Sequence, residues 1–135
     1  MVITLFVALL VGTATGLVGF WLRQNTKLSS VEVSAWLTLV AGLTLPLLSS
    51  EGFLLALICT SVSYVVMSSK QRISSFKEMI VVSVICVLVV YYGQNLLVGV
   101  GGRLGTFAAL SVLLFASLKK CLKWRDGYVG CNIRG

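Results

Sequence analysis

Histidine is absent from this chain of 135 residues, and acidic residues number only four. Histidine is the commonest general base and metal ligand, so its absence excludes catalysis by a histidine-containing triad. The apolar segments contain neither paired carboxylates nor an acidic metal cluster. We therefore expect no enzyme activity, no catalytic residue, no metal site and no cofactor.

Charge is also scarce, because charged residues make up 11% of the chain against 58% hydrophobic residues. The mean hydropathy is +1.01, whereas about a quarter of the residues in a typical soluble domain are charged. In water such a chain would expose apolar surface that it has no polar residues to cover. These numbers predict an all-α integral membrane protein whose surroundings are the lipid bilayer.

The four cysteines form no disulfide framework. Cys59 and Cys86 lie inside apolar segments, where a thiol behaves as a small hydrophobic group. Cys121 and Cys131 lie in a basic segment that we place in the cytosol, where thiols stay reduced. Two such thiols without a histidine make a poor zinc site.

Five apolar segments fill most of the chain, and they predict five transmembrane helices. No basic residue precedes the first segment, so we expect a retained helix and not a cleaved secretory signal. The third segment is short, because about 20 residues are usual for a span. We predict one membrane domain over residues 1–118 and a basic cytoplasmic tail over 119–135. The segments cover about 1–22, 33–48, 53–67, 79–98 and 104–118.

The basic residues lie on alternate loops. Ten of the eleven follow the first, third and fifth segments, and Arg103 alone lies on the other side. Because cytoplasmic loops carry an excess of Lys and Arg, this pattern predicts an outside N-terminus and a cytoplasmic C-terminus in the inner (plasma) membrane. Short basic clusters beside apolar segments also indicate contact with anionic lipid headgroups, and not with nucleic acid.

Local signals predict where two helices begin and where one is disturbed. Ser29-x-x-Glu32 and Ser75-x-x-Glu78 precede apolar runs and have the spacing of a capping box. Pro46 follows Gly42 by four residues near the end of the second segment. Proline removes a backbone hydrogen bond, so we expect a kink or an early end there.

Residues 27–31 and 72–76 match in character at an offset of 45 residues. One interpretation is an internal repeat of two parallel helical hairpins, as in many transporters. The alternative is that any cytoplasmic loop favours a basic residue followed by a serine cap.

Small residues predict two helix-packing faces. Gly12, Gly16 and Gly19 share one face of the first helix, and Gly101 and Gly105 are four residues apart at the start of the fifth. Such faces allow close approach of helix backbones in lipid. The partner is either another chain or another helix of the same chain.

A polar set lies between the fourth and fifth segments, together with one acidic residue on the same predicted side. Polar side chains near hydrocarbon are costly unless they are paired or hydrated, and helix N-termini favour anions. One hypothesis is therefore a site for a small anionic solute at the outer mouth of the protein. The alternative is that Arg103 contacts lipid phosphate and the glycines simply permit a tight turn. The residues are Glu51, Gln94, Asn95, Gly101, Gly102 and Arg103.

Hydroxyl groups within the first and third segments offer a second polar feature. They could line a polar path, or they could bond to the carbonyls of their own helix, which is the commoner arrangement. They belong to Thr13, Thr15, Thr60, Ser61 and Ser63.

The leading functional hypothesis is a small transport or channel protein for a solute or ion. It would act as a homo-oligomer or with other membrane subunits, because five short helices leave little room for a closed pathway. One alternative is a non-conducting accessory protein that binds and stabilises a partner. Another is a holin-like protein that forms membrane lesions.

Overall fold

A computed structural model describes residues 1–48, 50–67, 75–96 and 98–132, with side chains described as far as residue 123. Within these ranges the chain forms five α-helices, which confirms the predicted all-helical class. They are α1 (Val2–Asn25), α2 (Ser30–Leu48), α3 (Gly52–Val66), α4 (Phe76–Gly93) and α5 (Arg103–Asn132).

Four of the helices are long and apolar enough to cross a membrane. They are α1, α2, α4 and the Arg103–Lys123 part of α5. With 15 residues, α3 is about 22 Å long, against about 30 Å for the hydrocarbon core of a bilayer. The short third segment of the sequence is therefore a short helix in the structure.

This short helix forms the centre of the bundle. It contacts all four other helices, and ten of its 15 residues are buried. In α2, by contrast, only Val33 and Ser34 are buried among 19 residues. The other helices therefore form most of the environment of α3.

Helix contacts give the relative directions of α1, α3 and α4. Gly12 lies against Ile58 and Gly19 against Val66, so α1 and α3 run parallel. Gly12 also lies against Val87 of α4, whereas Gly16 lies against Met79, which is closer to the start of α4. α4 therefore runs opposite to α1.

The remaining two helices continue this alternation. Ser34 lies beside Ser63, and Gly52 at the start of α3 lies against the end of α2, so α2 and α3 are antiparallel. Gly93 lies against Phe107, and Glu78 pairs with Lys119, so α4 and α5 are antiparallel. The starts of α1, α3 and α5 thus lie at one end of the bundle, called the Arg103 end. The opposite end is called the Lys119 end.

The first predicted capping box is confirmed at the start of α2. The Ser29 N–H donates to Glu32 Oε2 at 2.7 Å, and the Val31 N–H donates to Ser29 Oγ at 3.2 Å. Ser75 is also the N-cap residue of α4, but its side chain makes no capping hydrogen bond. The predicted capping by the Ser75 side chain is therefore wrong.

Pro46 lies inside α2, which ends two residues later at Leu48. The close approach at this corner is made by Gly52, because a Cβ there would overlap the Leu45 carbonyl oxygen. The end of α2 near Pro46 and the glycine at the start of α3 together allow a tight connection between the two helices.

α5 continues well beyond the predicted end of its apolar segment. The hydropathy pattern places that end near Leu118, whereas the helix reaches Asn132. Apolar character stops at Leu118, but Lys, Leu and Arg are good helix formers and continue the helix without it. Most of the predicted tail, residues 119–135, is therefore helical.

Candidate functional site

The predicted outer polar residues all lie at the Arg103 end. Gln94 is the C-cap residue of α4, Asn95 follows it, and Glu51 is the N-cap residue of α3. Arg103 is the first residue of α5 and is half-buried, whereas Asn95 and Glu51 are exposed. The sequence therefore placed these side chains at a common end of the bundle.

Glycines shape the turn that leads into α5. Gly99 and Gly102 have φ values of +86° and +78°, in the left-handed region that favours glycine. The Gly102 carbonyl accepts the Thr106 N–H at 3.1 Å and the Thr106 hydroxyl at 3.2 Å, which begins the helix. Gly101 and Gly102 are exposed, and a Cβ on either would meet open space.

The polar side chains at the Arg103 end are not linked to one another in a single site. Among the residues that the structure describes, no hydrogen bond or ion pair links Glu51, Gln94, Asn95 and Arg103 to one another. The arrangement is a set of separate polar groups at one end of the bundle, beside a glycine turn. Any ligand held there would have to bring these groups together.

The glycine face of α1 packs inside the chain. Gly12 and Gly16 are buried against α3 and α4, and Gly19 is buried against α2 and α3, where a Cβ would lie 2.8 Å from both Leu37 Cδ1 and Val66 Cγ2. A Cβ on Gly16 would overlap the Ser83 hydroxyl and lie 3.2 Å from Val62 Cγ1. Of the two partners considered for this face, the structure shows a helix of the same chain.

Gly105 on α5 has a different environment. It is exposed, and a Cβ there would meet nothing within 4 Å. Gly105 therefore packs against no helix among the residues that the structure describes. The neighbouring contact in this region is made by Gly93 of α4, which lies against the Phe107 ring.

Most hydroxyl groups considered for a polar path bond to their own helix. The hydroxyls of Thr13, Thr15 and Thr60 donate to carbonyls four residues earlier at 2.7–2.8 Å. The Ser63 hydroxyl donates to the Thr60 carbonyl at 2.7 Å. Because these protons are already used, the groups can offer only acceptor capacity to a passing solute.

A polar contact between α2 and α3 was missed by sequence reasoning. Thr38 Oγ1 lies 3.0 Å from Ser63 Oγ, and Ser34 Oγ lies 3.5 Å from it. The spacing of Ser34 and Thr38, four residues apart on one helix face, was the available signal.

Two buried hydroxyls lack a hydrogen-bond partner within the described part of the chain. They belong to Ser61 of α3 and Ser83 of α4, both fully buried. Ser83 packs against Gly16, which leaves no room for another group beside that glycine. Ser83 therefore allows α4 to pack closely against α1, because its small side chain faces Gly16, which has no side chain.

One groove lies on each side of α2. The first has a volume of about 330 Å³, lies between α1 and α2, and has the Cys59 thiol and the Thr15 and Thr44 hydroxyls in its lining. The second has a volume of about 380 Å³ and lies between α2 and α3 near the Lys119 end, with Tyr64 and Met67 in its lining. A groove thus lies along each edge of α2, beside the contacts that Ser34 and Thr38 make with Ser63 of α3.

Positive charge is concentrated at the Lys119 end. Arg23 lies near the end of α1, and its Nη1 donates to the Val66 carbonyl at the end of α3 at 2.7 Å. Lys77 is the second residue of α4, and Lys119 of α5 pairs with Glu78 at 2.6 Å. At the opposite end, Arg103 is the one Lys or Arg residue among those that the structure describes.

Comparisons with protein-family models, curated proteins and solved structures give no match to this chain. Among the described residues, no group of three or more His, Cys, Asp or Glu side chains could hold a metal ion.

Proposed function

We propose that this chain crosses the inner (plasma) membrane five times, with its N-terminus outside and its C-terminus in the cytoplasm. The support is the separation of charge along the bundle. The described Lys and Arg residues lie at the Lys119 end, with Arg103 as the exception. Because positive side chains are retained on the cytoplasmic side, the Lys119 end faces the cytoplasm.

We further propose that the protein carries a small solute or ion, as a homo-oligomer or as a subunit of a larger membrane assembly. The centre of the bundle is filled by side chains with no exposure, most of which are apolar. Ile58, Val62, Val82 and Val87 all have 0% relative exposure. A pathway would therefore run along the outside of the bundle, where a second chain closes it.

The observation that carries this proposal is the groove between α1 and α2. Its lining combines apolar residues with Thr15, Thr44 and Cys59. The Thr15 and Thr44 hydroxyls donate to carbonyls of their own helices, so their oxygens could still accept from or coordinate a solute or ion. Arg103, Gln94 and the exposed glycines would attract an anion at the outer mouth.

Flux through liposomes that contain the purified protein tests this function. We expect protein-dependent flux of at least one small solute or ion, reduced by Arg103→Ala, Gln94→Ala or Thr44→Val. Thr13→Val is the matched control, because Thr13 bonds to its own helix as Thr44 does but does not line the groove. Unchanged leak across a broad panel of solutes would contradict the proposal.

The length of α5 favours a second candidate, a non-conducting accessory protein. Since Lys119 pairs with Glu78 near the start of α4, the part of α5 towards Asn132 extends past that helix. This basic extension could bind a partner protein. Co-purification of a stoichiometric partner, lost on removal of residues 119–135, would favour this candidate. Lethality on expression would instead favour a holin-like function.

A further inference from the structure

The groove between α2 and α3 combines an apolar wall with positive charge at its mouth. Val31, Ala35 and Leu39 line it from α2, and Tyr64 and Met67 line it from the end of α3. Its volume is about 380 Å³. Because Val31 lies in the first turn of α2 and Met67 follows the end of α3, the mouth lies at the Lys119 end.

Two basic residues lie at the same end of the bundle as this mouth. The Arg23 guanidinium is fixed 2.7 Å from the carbonyl of Val66, the residue directly before Met67. Lys27 lies in the connection between α1 and α2, four residues before Val31, and is exposed. A phosphate group at this end of the groove would therefore lie in a region of positive charge.

Tyr64 adds a polar group to an otherwise apolar wall. It is 41% exposed, and it makes no hydrogen bond within the described part of the chain. Tyrosine favours the membrane interface, because its ring is apolar and its hydroxyl is polar. Here the hydroxyl could donate to an oxygen of a lipid headgroup while the ring lies along the lipid chain.

We propose that this groove binds one acyl chain of an anionic phospholipid, whose phosphate lies against Arg23 and Lys27. The inference rests on the proposed placement of the chain in a membrane, but it is independent of transport. Burial of an acyl chain gains little over bulk lipid, because both surroundings are apolar. Selectivity therefore comes from charge, and a Lys near the surface favours an anionic lipid about fivefold, or about 1 kcal/mol.

Native mass spectrometry of the full chain tests this site. The protein is purified in detergent and exposed to equimolar phosphatidylglycerol and phosphatidylcholine with the same acyl chains. We expect one retained phosphatidylglycerol, favoured about fivefold or more over phosphatidylcholine. Lys27→Gln should lower this preference about fivefold, whereas Lys123→Gln, which removes an exposed lysine of α5, should preserve it.

A second pair of variants tests the acyl-chain part. Ala35→Phe fills the groove and should lower retention of both lipids, whereas Ala109→Phe, at an exposed position of α5, should not. Circular dichroism verifies that each variant keeps its helices. Inorganic phosphate at millimolar concentration should not displace the lipid.

Three outcomes would overturn the proposal. The first is equal retention of the two lipids by the unaltered chain, and the second is an equal loss of preference in Lys27→Gln and Lys123→Gln. The third is displacement of the lipid by inorganic phosphate, which would show a phosphate site without an acyl-chain groove. Failure of membrane insertion is distinguishable, because it would be detected by membrane fractionation without any lipid-binding measurement.

Discussion

Lys119 of α5 and Glu78 of α4 form an ion pair with an Nζ–Oε1 distance of 2.6 Å. Their side chains are 46% and 23% exposed, so water or headgroups reach the pair. The contact joins α5, at the point where its apolar segment ends, to the first turn of α4. It also places Lys119 at the end of the bundle that we assign to the cytoplasm.

The Lys119–Glu78 pair should contribute little to stability. A double-mutant cycle with Lys119→Ala and Glu78→Ala should give a coupling of about 0.2–1 kcal/mol in the free energy of unfolding, falling as salt is added. Unfolding in detergent micelles measures it, and Lys120→Ala combined with Glu78→Ala is the control cycle. A coupling well above this range, insensitive to salt, would show that the pair is shielded from solvent.

Gly16 should tolerate no larger side chain. Gly16→Leu would force the side chain into Ser83 and Val62, and overpacking of this kind costs about 1–3 kcal/mol. Gly105→Leu is the matched control, because a Cβ at Gly105 meets open space. Thermal unfolding in detergent should show a lowered Tm for the first variant and little change for the second. Equal effects would contradict the packing of α1 against α3 and α4.

Gly52 and Gly42 make a second matched pair at the connection between α2 and α3. A Cβ on Gly52 would overlap the Leu45 carbonyl oxygen, so Gly52→Ala should destabilise the chain. Gly42 lies inside α2 with nothing within 4 Å, and Ala is favoured over Gly there by about 1 kcal/mol. Chemical unfolding should therefore order the proteins as Gly42→Ala, unaltered chain and Gly52→Ala, from most to least stable. The reverse order would be inconsistent with this tight connection.

The two predicted capping serines should differ in importance. Ser29 accepts the Val31 N–H, so Ser29→Ala should cost about 1 kcal/mol in the free energy of unfolding. Ser75 makes no capping hydrogen bond through its side chain, and Ser75→Ala should cost much less. Unfolding of the two variants side by side measures the difference, and equal losses would place a cap at Ser75 as well.

The sequence predicted the helices well because their signals are local. Apolar runs separated by basic or glycine-rich turns gave all five segments, and the Ser29–Glu32 spacing gave the start of α2. The end of α5 could not be predicted in this way, because hydropathy reports the apolar run to Leu118 and not the helix to Asn132. Helix formers continue a helix after its apolar run has ended.

Helix neighbours were harder to predict, because they depend on contacts between residues far apart in sequence. The glycine spacing in α1 indicated a packing face, but its partners, including Ser83, became evident only in the structure. Similarly, the length of the third segment, 15 residues in α3, indicated only a short transmembrane helix. Nothing in this segment indicated that its helix forms the centre of the bundle. The outer polar residues shared an end of the bundle, but nothing in their spacing specified whether Arg103 would meet Gln94.

Orientation in the membrane tests the account most directly, through labelling with a membrane-impermeant maleimide in intact cells. The four cysteines are first replaced, Cys121 and Cys131 by serine and the buried Cys59 and Cys86 by alanine. Single cysteines are then introduced by Gly101→Cys at the Arg103 end or Lys27→Cys at the Lys119 end. We predict that the cysteine of Gly101→Cys is labelled from outside, and that of Lys27→Cys only after the membrane is made permeable. The opposite pattern, or labelling of both from the same side, would contradict the proposed five-span topology.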